Sequence, residues 1–206
     1  MKLVLATHNA KKLAELQALF APLGVLLVSQ ASLAIAEAEE PFDSFVENAL
    51  TKARHAARLS GLPALADDSG LAVEGLAGAP GVLSARYATL FGQAKTDADN
   101  NRVLLEQMHL AGLTEPAQRG ARFVCALVAV RNAADPEPLI AMGRWQGQIL
   151  PAAAGEGGFG YDPLLFIPAA GRSVAQFSAA EKNTQSHRAL AAAELVQQMR
   201  EVWHLG

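Results

Sequence analysis

The chain has 206 residues, of which 51% are hydrophobic, and its formal net charge is −3. This length suits one domain of generous size or two closely joined lobes, and the apolar fraction is enough for a sizeable core. The 17 basic and 20 acidic residues form no block of like charge, whereas a general nucleic-acid binder usually shows a basic face. No apolar run approaches the roughly 20 residues of a membrane span. The composition therefore predicts a protein that binds neither nucleic acid nor a membrane.

The single cysteine, Cys125, excludes an intramolecular disulfide. It lies in an apolar run, where a buried free cysteine is far more common than a catalytic one. Only four apolar residues, 3–6, separate Met1 and Lys2 from the polar Thr7, which is too few for the core of a signal peptide. We therefore predict a cytoplasmic protein with an inert, buried thiol.

The first predicted elements are a buried strand over residues 2–6, a helix, and a second strand over residues 25–28. Gly24 ends the helix, and the apolar residues of this helix recur at helical spacing. These residues are Leu13, Leu16 and Phe20. A strand–loop–helix–strand opening is typical of α/β proteins.

A second helix is predicted to begin at the capping-box pattern of Ser44 and Glu47 and to end before Gly61. A short apolar strand over residues 64–66 follows it. Asp, Ser and Gly are common turn residues, so residues 67–70 are expected to end this strand in a turn.

The rest of the chain is predicted to contain further strands, two loops and two helices. The strands are expected at residues 71–73, 121–131, 139–145, 148–150 and 164–167. Loops are expected at 75–92 and 155–162, and helices at 97–110 and 186–203. The last helix is predicted to bury Leu190, Ala193, Val196, Met199 and Trp203. This order predicts an α/β fold in a single domain over residues 1–206, either as one compact unit or as two lobes with a cleft between them.

The first candidate site lies between the first strand and the first helix. It consists of Thr7, His8, Asn9, Ala10, Lys11 and Lys12. The first amides of a helix lack internal partners and carry partial positive charge, which makes them a site for phosphate. Lysines in the first turn oppose the helix dipole, and a bound anion would offset that cost. An ordinary capped helix with exposed lysines explains the same residues equally well.

A second candidate site is the pair Asp67 and Asp68, followed by Ser69 and Gly70. Side chains alternate along an extended backbone, so only one carboxylate of the pair needs to face a ligand. That carboxylate could bind Mg²⁺ or polarise a water molecule. A simple turn is the competing interpretation.

An acidic cluster, Glu37, Glu39 and Glu40, precedes Pro41. Acidic residues in loops are usually only solvated. With a phosphate site and a second carboxylate nearby they become candidate ligands, because Mg²⁺ takes one or two protein carboxylates together with phosphate oxygens and water.

A glycine-rich loop at residues 155–162 contains two of the few aromatic residues of the chain. Glycines let the backbone approach a ligand closely. Phe159 and Tyr161 offer faces on which a base can stack, and Asp162 could accept hydrogen bonds from the edge of that base. A flexible connection is the alternative.

Basic residues lie near the start of the last helix, namely Lys182, His187 and Arg188. A cation at a helix N-terminus opposes the dipole, which suggests a compensating phosphate or purine carbonyl. A plain surface helix start is the alternative. The remaining histidines show no spacing typical of metal ligands, so a zinc site is not expected.

Together these motifs make the chain resemble the RdgB-type family of non-canonical purine nucleoside triphosphate pyrophosphatases, the inosine/xanthosine triphosphatases. The resemblance extends from Lys2 to the last helix and rests on six blocks in the same order. They are Thr7-x-Asn9-x-x-Lys12-x-x-Glu15, Phe45-x-Glu47-Asn48-Ala49-x-x-Lys52-Ala53, Ala66-Asp67-Asp68-Ser69-Gly70-Leu71, Gly78-Ala79-Pro80-Gly81-x-x-Ser84-Ala85-Arg86, Gly157-Gly158-Phe159-Gly160-Tyr161-Asp162-Pro163 and Glu181-Lys182-x-x-x-Ser186-His187-Arg188.

The resemblance implies an α/β homodimer with a long central mixed, twisted sheet flanked by helices and a cleft between two lobes. It implies Mg²⁺-dependent hydrolysis of ITP, dITP and XTP to the monophosphate and pyrophosphate, which cleanses the nucleotide pool. Asp68 would be the proton acceptor and a metal ligand, and Glu39 the second metal ligand. The substrate would contact Thr7, His8, Asn9, Ala10, Lys11, Lys12, Ser69, Phe159, Gly160, Tyr161, Asp162, Lys182, His187 and Arg188.

The chain departs from the usual family pattern at two places. His8 stands where glycine is frequent, and Phe42-Asp43-Ser44 replaces a Gly-x-Thr segment. Glu40 remains an alternative to Glu39 as the metal ligand. A related pyrophosphatase with a pyrimidine or modified-base substrate, and a nucleotide sensor without catalysis, are the rival functions.

Overall fold

A computed structural model describes residues 1–205, and within them seven strands form one mixed sheet. The strands are β1 (Lys2–Leu5), β2 (Leu26–Ser29), β3 (Ala64–Val73), β4 (Gly120–Val130), β5 (Leu139–Ile149), β6 (Leu165–Ile167) and β7 (Arg172–Ser173), in the order β2-β1-β3-β4-β5-β6-β7. β1 pairs in parallel with β2 and β3, whereas β6 pairs antiparallel with β5 and β7. The predicted α/β fold with a mixed sheet flanked by helices is confirmed.

The α-helices are α1 (Ala10–Phe20), α2 (Phe45–Ser60), α3 (Asp97–Leu110), α4 (Ala179–Gln185) and α5 (His187–Val202). Their starts follow local capping chemistry, since the side chains of Asn9, Ser44, Thr96 and Ser186 accept backbone N–H groups at the starts of α1, α2, α3 and α5. Gly61 ends α2 at a φ of +67°, a left-handed conformation that favours glycine. The boundaries of α2, α3 and α5 agree with the predictions to within about two residues, as expected for caps that depend on neighbouring residues only. α1 ends at Phe20, before the predicted stop at Gly24, and α4 was not predicted.

The described residues pack into two compact units. Unit 1 contains residues 1–68, 125–143 and 183–205, and unit 2 contains residues 69–124 and 144–182. Unit 1 has two apolar clusters, one with α1 and α5 residues such as Phe20 and Leu195, and one rich in alanines of α2. Unit 2 has its own cluster around residues such as Leu104 and Trp145.

The predicted turn at residues 67–70 is wrong, because β3 runs without interruption from Ala64 to Val73. A polar pair inside a buried strand is tolerated when its charges are neutralised. Cationic side chains lie within hydrogen-bond distance of both Asp67 and Asp68, so the strand continues through them.

The predicted loop at 75–92 and the predicted break between two strands in residues 139–150 are also wrong. The loop expected at 75–92 contains two 3₁₀ helices, Glu74–Leu76 and Gly81–Phe91. The strands expected at 139–145 and 148–150 are the single strand β5. Gly147 interrupts the apolar pattern of β5 because a Cβ there would lie 2.4 Å from the carbonyl oxygen of Phe166 on β6.

The buried face of α5 also differs from the prediction. Leu190 is 45% exposed, and the buried residues are Ala189, Ala191, Ala192, Leu195 and Met199 together with the first two helical residues. The helix turns its small residues towards β5, where a Cβ on Gly143 would lie 1.8 Å from the carbonyl oxygen of His187. Close backbone approach therefore decides which face is buried.

Candidate active site

The first turn of α1 has the predicted capped geometry. Asn9 Oδ1 accepts the backbone N–H groups of Lys11 at 2.9 Å and Lys12 at 3.2 Å. Thr7 Oγ1 in turn accepts the N–H of Asn9 at 3.1 Å. A ring nitrogen of His8, Nε2, lies 2.9 Å from the carbonyl oxygen of Ile35. Asn9 thus satisfies two amides of α1, and the exposed turn still carries the positive end of the helix dipole.

Lys12 does not point into solvent, since its Nζ donates to Asp67 Oδ1 at 2.6 Å. Asp67 Oδ2 accepts from Arg188 Nε at 2.7 Å and from the Cys125 thiol at 3.4 Å. Arg188 also donates to Glu15 Oε2 at 2.5 Å. Side chains from two helices and a neighbouring strand therefore converge on the buried Asp67.

The charge state of Asp67 follows from these contacts. Burial pushes its pKa upward, but the charges of Arg188 and Lys12 outweigh burial and hold the pKa of this carboxyl well below its usual range. The charges of Asp67 and Glu15 likewise overcome burial and raise the pKa of Arg188. Asp67 is therefore ionised at neutral pH and anchors Lys12, and it is not placed to accept a proton in catalysis.

Asp68 has different surroundings from its neighbour. Lys52 Nζ donates to Asp68 Oδ1 at 2.7 Å and to Glu40 Oε1 at 2.8 Å, so one ammonium joins the two carboxylates. The second oxygen, Asp68 Oδ2, is buried and has no hydrogen-bond partner among residues 1–205. Burial raises the pKa of Asp68, and the charge of Lys52 offsets only part of this effect. Asp68 thus has an oxygen available to a ligand and an affinity for protons above that of an ordinary aspartate.

The acidic cluster before Pro41 separates into two environments. Glu40 is half-buried and bound by Lys52, while Glu39 is exposed. Glu39 lines a surface pocket of about 450 Å³ whose other lining residues include Phe42, His55 and Arg58. The geometry therefore favours Glu40 over the predicted Glu39 as the carboxylate that acts with Asp68.

The pair of Glu40 and Asp68 fits a hard divalent cation. Both carboxylates already lie around one ammonium, and the partnerless Asp68 Oδ2 offers a further lone pair. Within the described chain no group of three or more His, Cys, Asp or Glu residues is arranged to hold a metal ion. Two carboxylates, with phosphate oxygens and water completing the shell, are the usual protein contribution to a Mg²⁺ site.

The glycine-rich loop is ordered by Asp162. Its Oδ2 accepts the N–H of Phe159 at 3.1 Å and the ammonium of Lys182 at 2.9 Å. Gly158 has a φ of +78°, and a Cβ there would lie 2.0 Å from the same oxygen, so only glycine fits. The Lys182 ammonium also lies 5.4 Å from the centroid of the Phe159 ring. Asp162 within the loop and Lys182 on α4 therefore support Phe159.

Tyr161 does not offer the stacking face that its sequence position suggested. It is 4% exposed, and its hydroxyl donates to the carbonyl oxygen of Ser84 at 3.0 Å. Burial raises its pKa, so the phenol stays protonated. Phe159 is half-buried and is thus the loop's aromatic side chain that retains exposed surface.

The remaining predicted residues lie in β3, at the start of α1 and at the start of α5. Ser69 is half-buried within β3, and Ala10 and Lys11 are exposed at the start of α1. His187 is buried in the first turn of α5 beside Arg188, after the cap Ser186. Arg188 is engaged by Asp67 and Glu15, so it holds other residues in position.

Sequence reasoning gave no role to Lys52 and Glu15, although both occur in the motifs that carry the resemblance. Lys52 is the half-buried cation between alanine-rich turns of α2, and a lysine on a largely apolar helix face is a detectable signal. Glu15 lies three residues after Lys12 on the same face of α1. Both signals indicate that a charged partner is near.

The comparisons with known proteins agree along the whole chain. A sequence model of the Ham1 family matches residues 3–198. The chain belongs to the Ham1 family. It is 58% identical to a dITP/XTP pyrophosphatase from Leptothrix cholodnii over 100% of both chains. It is 59% identical to a dITP/XTP pyrophosphatase from Methylibium petroleiphilum, over 98% of this chain and 99% of that protein.

The Ham1 fold is also found in solved structures. A HAM1 protein from Coxiella burnetii superposes with a TM-score of 0.88 at 42% identity, covering 98% of this chain and 100% of that one. The predicted resemblance to pyrophosphatases of non-canonical purine nucleoside triphosphates is confirmed by the names of the Ham1 relatives. Among residues 1–205, no helix is both long enough and apolar enough to span a bilayer.

Proposed function

We propose that this Ham1-family chain hydrolyses non-canonical purine nucleoside triphosphates, namely ITP, dITP and XTP, to the monophosphate and pyrophosphate. The observation that carries the proposal is Asp68, whose raised pKa and partnerless Oδ2 suit a general base. Glu40 lies beside it across Lys52, which gives a site for a divalent cation. The relatives' name, dITP/XTP pyrophosphatase, supports the same activity.

The reaction is a displacement at the α-phosphorus. Asp68 orients a water molecule and accepts its proton as the water oxygen attacks the α-phosphorus, while the bond to the bridging oxygen of the leaving pyrophosphate breaks. The first turn of α1 and Lys12, anchored by Asp67, bind the negative charge of the triphosphate. Mg²⁺ held by Glu40 and Asp68 would act as a Lewis acid that neutralises charge on the phosphates.

Lys52 has a specific part in this mechanism. Its ammonium neutralises Glu40 and Asp68 together in the protein as described. Lys52 would lose these partners when the two carboxylates bind a divalent cation, because the cation needs the same oxygens. The released ammonium would then bind a phosphate oxygen of the substrate. Lys52 would thus neutralise the carboxylates in the absence of metal and the phosphates in its presence.

Base recognition is proposed for the glycine-rich loop. Phe159 would stack on the purine, with Lys182 and Asp162 fixing its position. Backbone N–H groups of the loop and the His187 side chain are proposed to donate to O6 of the base. An adenine amino group would leave those donors unpaired, which disfavours ATP. Arg188 contributes through its ion pair with Asp67, which anchors the first turn of α5, the turn that also contains His187.

The proposal includes a homodimer in the cytoplasm with no nucleic-acid or membrane partner. The support is the resemblance to family dimers, the net charge of −3 and the single cysteine. Size-exclusion chromatography with light scattering measures the dimer directly. A monomer at micromolar concentration with full activity would contradict this part of the proposal.

A nucleotide panel tests the function. We expect release of pyrophosphate, and little orthophosphate, from ITP, dITP and XTP in the presence of Mg²⁺, with slow turnover of ATP, dTTP and UTP. Chelation of the metal by EDTA should abolish the reaction. Preferential turnover of a pyrimidine triphosphate would indicate the related pyrophosphatase, and tight nucleotide binding with no product would indicate a sensor.

Asp68→Asn is expected to abolish turnover of ITP, by roughly a thousandfold or more, because loss of a general base typically costs about 10²–10⁴ and metal binding is weakened as well. The amide still accepts a hydrogen bond from Lys52, so the fold should be retained. The measurements are pyrophosphate release and the thermal midpoint. Near-normal activity of a folded variant would exclude Asp68 as the base.

A further inference from the structure

The N-terminal turns of α3 contact the glycine-rich loop at a single residue, Gly160. Asp97 Oδ2 accepts the backbone N–H of Gly160 at 2.7 Å. Asn101 Nδ2 donates to the backbone carbonyl oxygen of the same residue at 3.0 Å. Both backbone polar groups of Gly160 are therefore bound by side chains of one helix.

This arrangement follows from helix geometry and from the loop conformation. Asp97 and Asn101 are four residues apart, so they lie on the same face of α3 one turn from each other. Thr96 caps the helix and fixes where this face begins. Gly160 has a φ of +60°, which presents its N–H and C=O to the helix in a conformation that favours glycine.

The two hydrogen bonds differ in strength. The bond from the Gly160 N–H to the Asp97 carboxylate is short and charge-assisted, and such bonds are about twice as strong as neutral ones. The bond from Asn101 is neutral, and its carboxamide Oδ1 is buried with no hydrogen-bond partner within the described part of the chain. Asn101 is thus committed to Gly160 through its amide nitrogen alone.

The position of Gly160 determines the position of its neighbour Phe159. Phe159 is held on its other side by Asp162, which accepts its N–H at 3.1 Å. The loop is therefore bound from two directions, by Asp162 within the loop and by α3 outside it. Releasing the α3 contacts removes the acceptor of the Gly160 N–H, while the Phe159 carbonyl oxygen of the same peptide keeps the N–H of Asp162 at 3.2 Å.

We propose that Asp97 and Asn101 are positioning residues that fix the backbone of Gly160, and with it the adjoining Phe159, and thereby set the affinity for the purine base. The inference rests on the proposed function, since it assigns base binding to this loop. Neither side chain touches the substrate. Asp97 and Asn101 order the loop before the nucleotide binds. They therefore affect the affinity for the nucleotide more than the rate of the chemical step.

The test compares Asp97→Ala, Asp97→Asn and Asn101→Ala, with Glu106→Ala as the matched control. Glu106 is an exposed acid on α3 whose ion-pair partner is Arg102, at 3.5 Å on the same helix. For ITP, Asp97→Ala and Asn101→Ala should raise KM about tenfold, equivalent to about 1.4 kcal/mol, and change kcat by less than about threefold. Asp97→Asn keeps an acceptor for the Gly160 N–H and should restore most of the lost affinity.

Hydrogen exchange of the peptide covering residues 155–163 gives a readout that does not need activity. The amide hydrogens of this peptide should exchange faster in Asp97→Ala and Asn101→Ala than in the wild type. In Asp97→Asn and Glu106→Ala they should exchange at the wild-type rate. Faster exchange with an unchanged KM would overturn the inference, and so would a loss in kcat alone. If the wild type hydrolyses no triphosphate, the proposed function is wrong. If the wild type is active and the variants have its KM and its exchange rate, only the positioning role is rejected.

Discussion

Adjacent aspartates in β3 have different surroundings because their side chains alternate across the strand. Two cations lower the pKa of Asp67, and both of its oxygens accept hydrogen bonds. Asp68 has a raised pKa, and one of its oxygens has no partner in residues 1–205. A sequence comparison treats the two as equivalent acids. Their surroundings make one a structural anion and the other a candidate base.

Asp67→Asn should destabilise the fold by about 3–5 kcal/mol, the usual cost of removing one partner of a buried ion pair. The substitution leaves Arg188 buried with Glu15 as its remaining acidic partner, and Lys12 loses its anchor. Urea denaturation followed by circular dichroism measures the change. Asp68→Asn is the matched control, and equal stability of the two variants would contradict the difference in role.

The sequence could predict one part of this contrast and not the other. Alternation along the strand predicted that only one carboxylate of the pair needs to face a ligand. The partner of Asp67 is Arg188, which is 121 residues away along the chain. No local pattern reveals such a pairing, and the choice between Glu39 and Glu40 likewise depends on where α2 places Lys52.

At the scale of elements, α5 packs against β5 with almost no space between the backbones. Gly143 is responsible, since a Cβ there would lie 1.8 Å from the carbonyl oxygen of His187 and 2.7 Å from the nitrogen of Ala191. The first turn of α5 carries His187 and Arg188. The position of two proposed site residues therefore depends on the absence of one methyl group.

Gly143→Ala should destabilise the protein by about 1–3 kcal/mol, the typical cost of overpacking, and should lower activity because α5 must move. The exposed neighbour Arg144→Ala is the control and should change stability by less than about 0.5 kcal/mol. Thermal melts and ITP turnover give the two readouts. A Gly143→Ala protein with wild-type stability would show that the contact relaxes freely.

Local and tertiary effects explain which elements could be predicted. The caps Ser44 and Thr96 and the stop Gly61 act through neighbouring residues, so the ends of α2 and the start of α3 were predicted well. The turn at 67–70 was wrongly predicted because ion pairs with distant residues keep β3 extended. The exposed Leu190 shows the same limit, since the close contact at Gly143 decides the orientation of α5.

At the scale of the whole molecule, membership of the Ham1 family and the mixed-sheet fold confirm what the six motif blocks indicated. The six blocks were informative together because they contain candidates for three different requirements of the proposed reaction, namely phosphate binding, a general base and nucleobase binding. The cleft between lobes and the dimer stay predictions.

Stability should depend on pH through Asp68. Its folded-state pKa is raised above the unfolded value, so its ionisation costs stability above the folded pKa, and acidification through that pKa relieves the cost. In metal-free buffer, Asp68→Asn should therefore melt at a higher temperature than the wild type near pH 7. This advantage should shrink as the pH falls towards about 4.

The pH-dependent contribution of Asp67 to stability has the opposite sign from that of Asp68, but Asp67 is present in both the wild type and Asp68→Asn. Its pKa is lowered in the folded state, so its contribution is complete above the unfolded value and is lost as the pH falls below about 4. This loss cancels in the comparison. If the melting temperature of Asp68→Asn relative to the wild type rose on acidification, the pKa of Asp68 would not be raised in the folded state.

The division of the chain into two units has a consequence for its synthesis. Unit 2 is complete once residue 182 has been made, whereas unit 1 still lacks α5, whose Leu195 and Met199 belong to its core. On the ribosome, the unit that contains β1 is therefore the later one to be completed. Asp67 emerges long before Arg188, so the charge on β3 lacks its strongest partner until α5 leaves the exit tunnel. When residue 182 has been made, the nascent chain thus contains every residue of unit 2, while the Asp67 carboxylate of unit 1 still lacks Arg188.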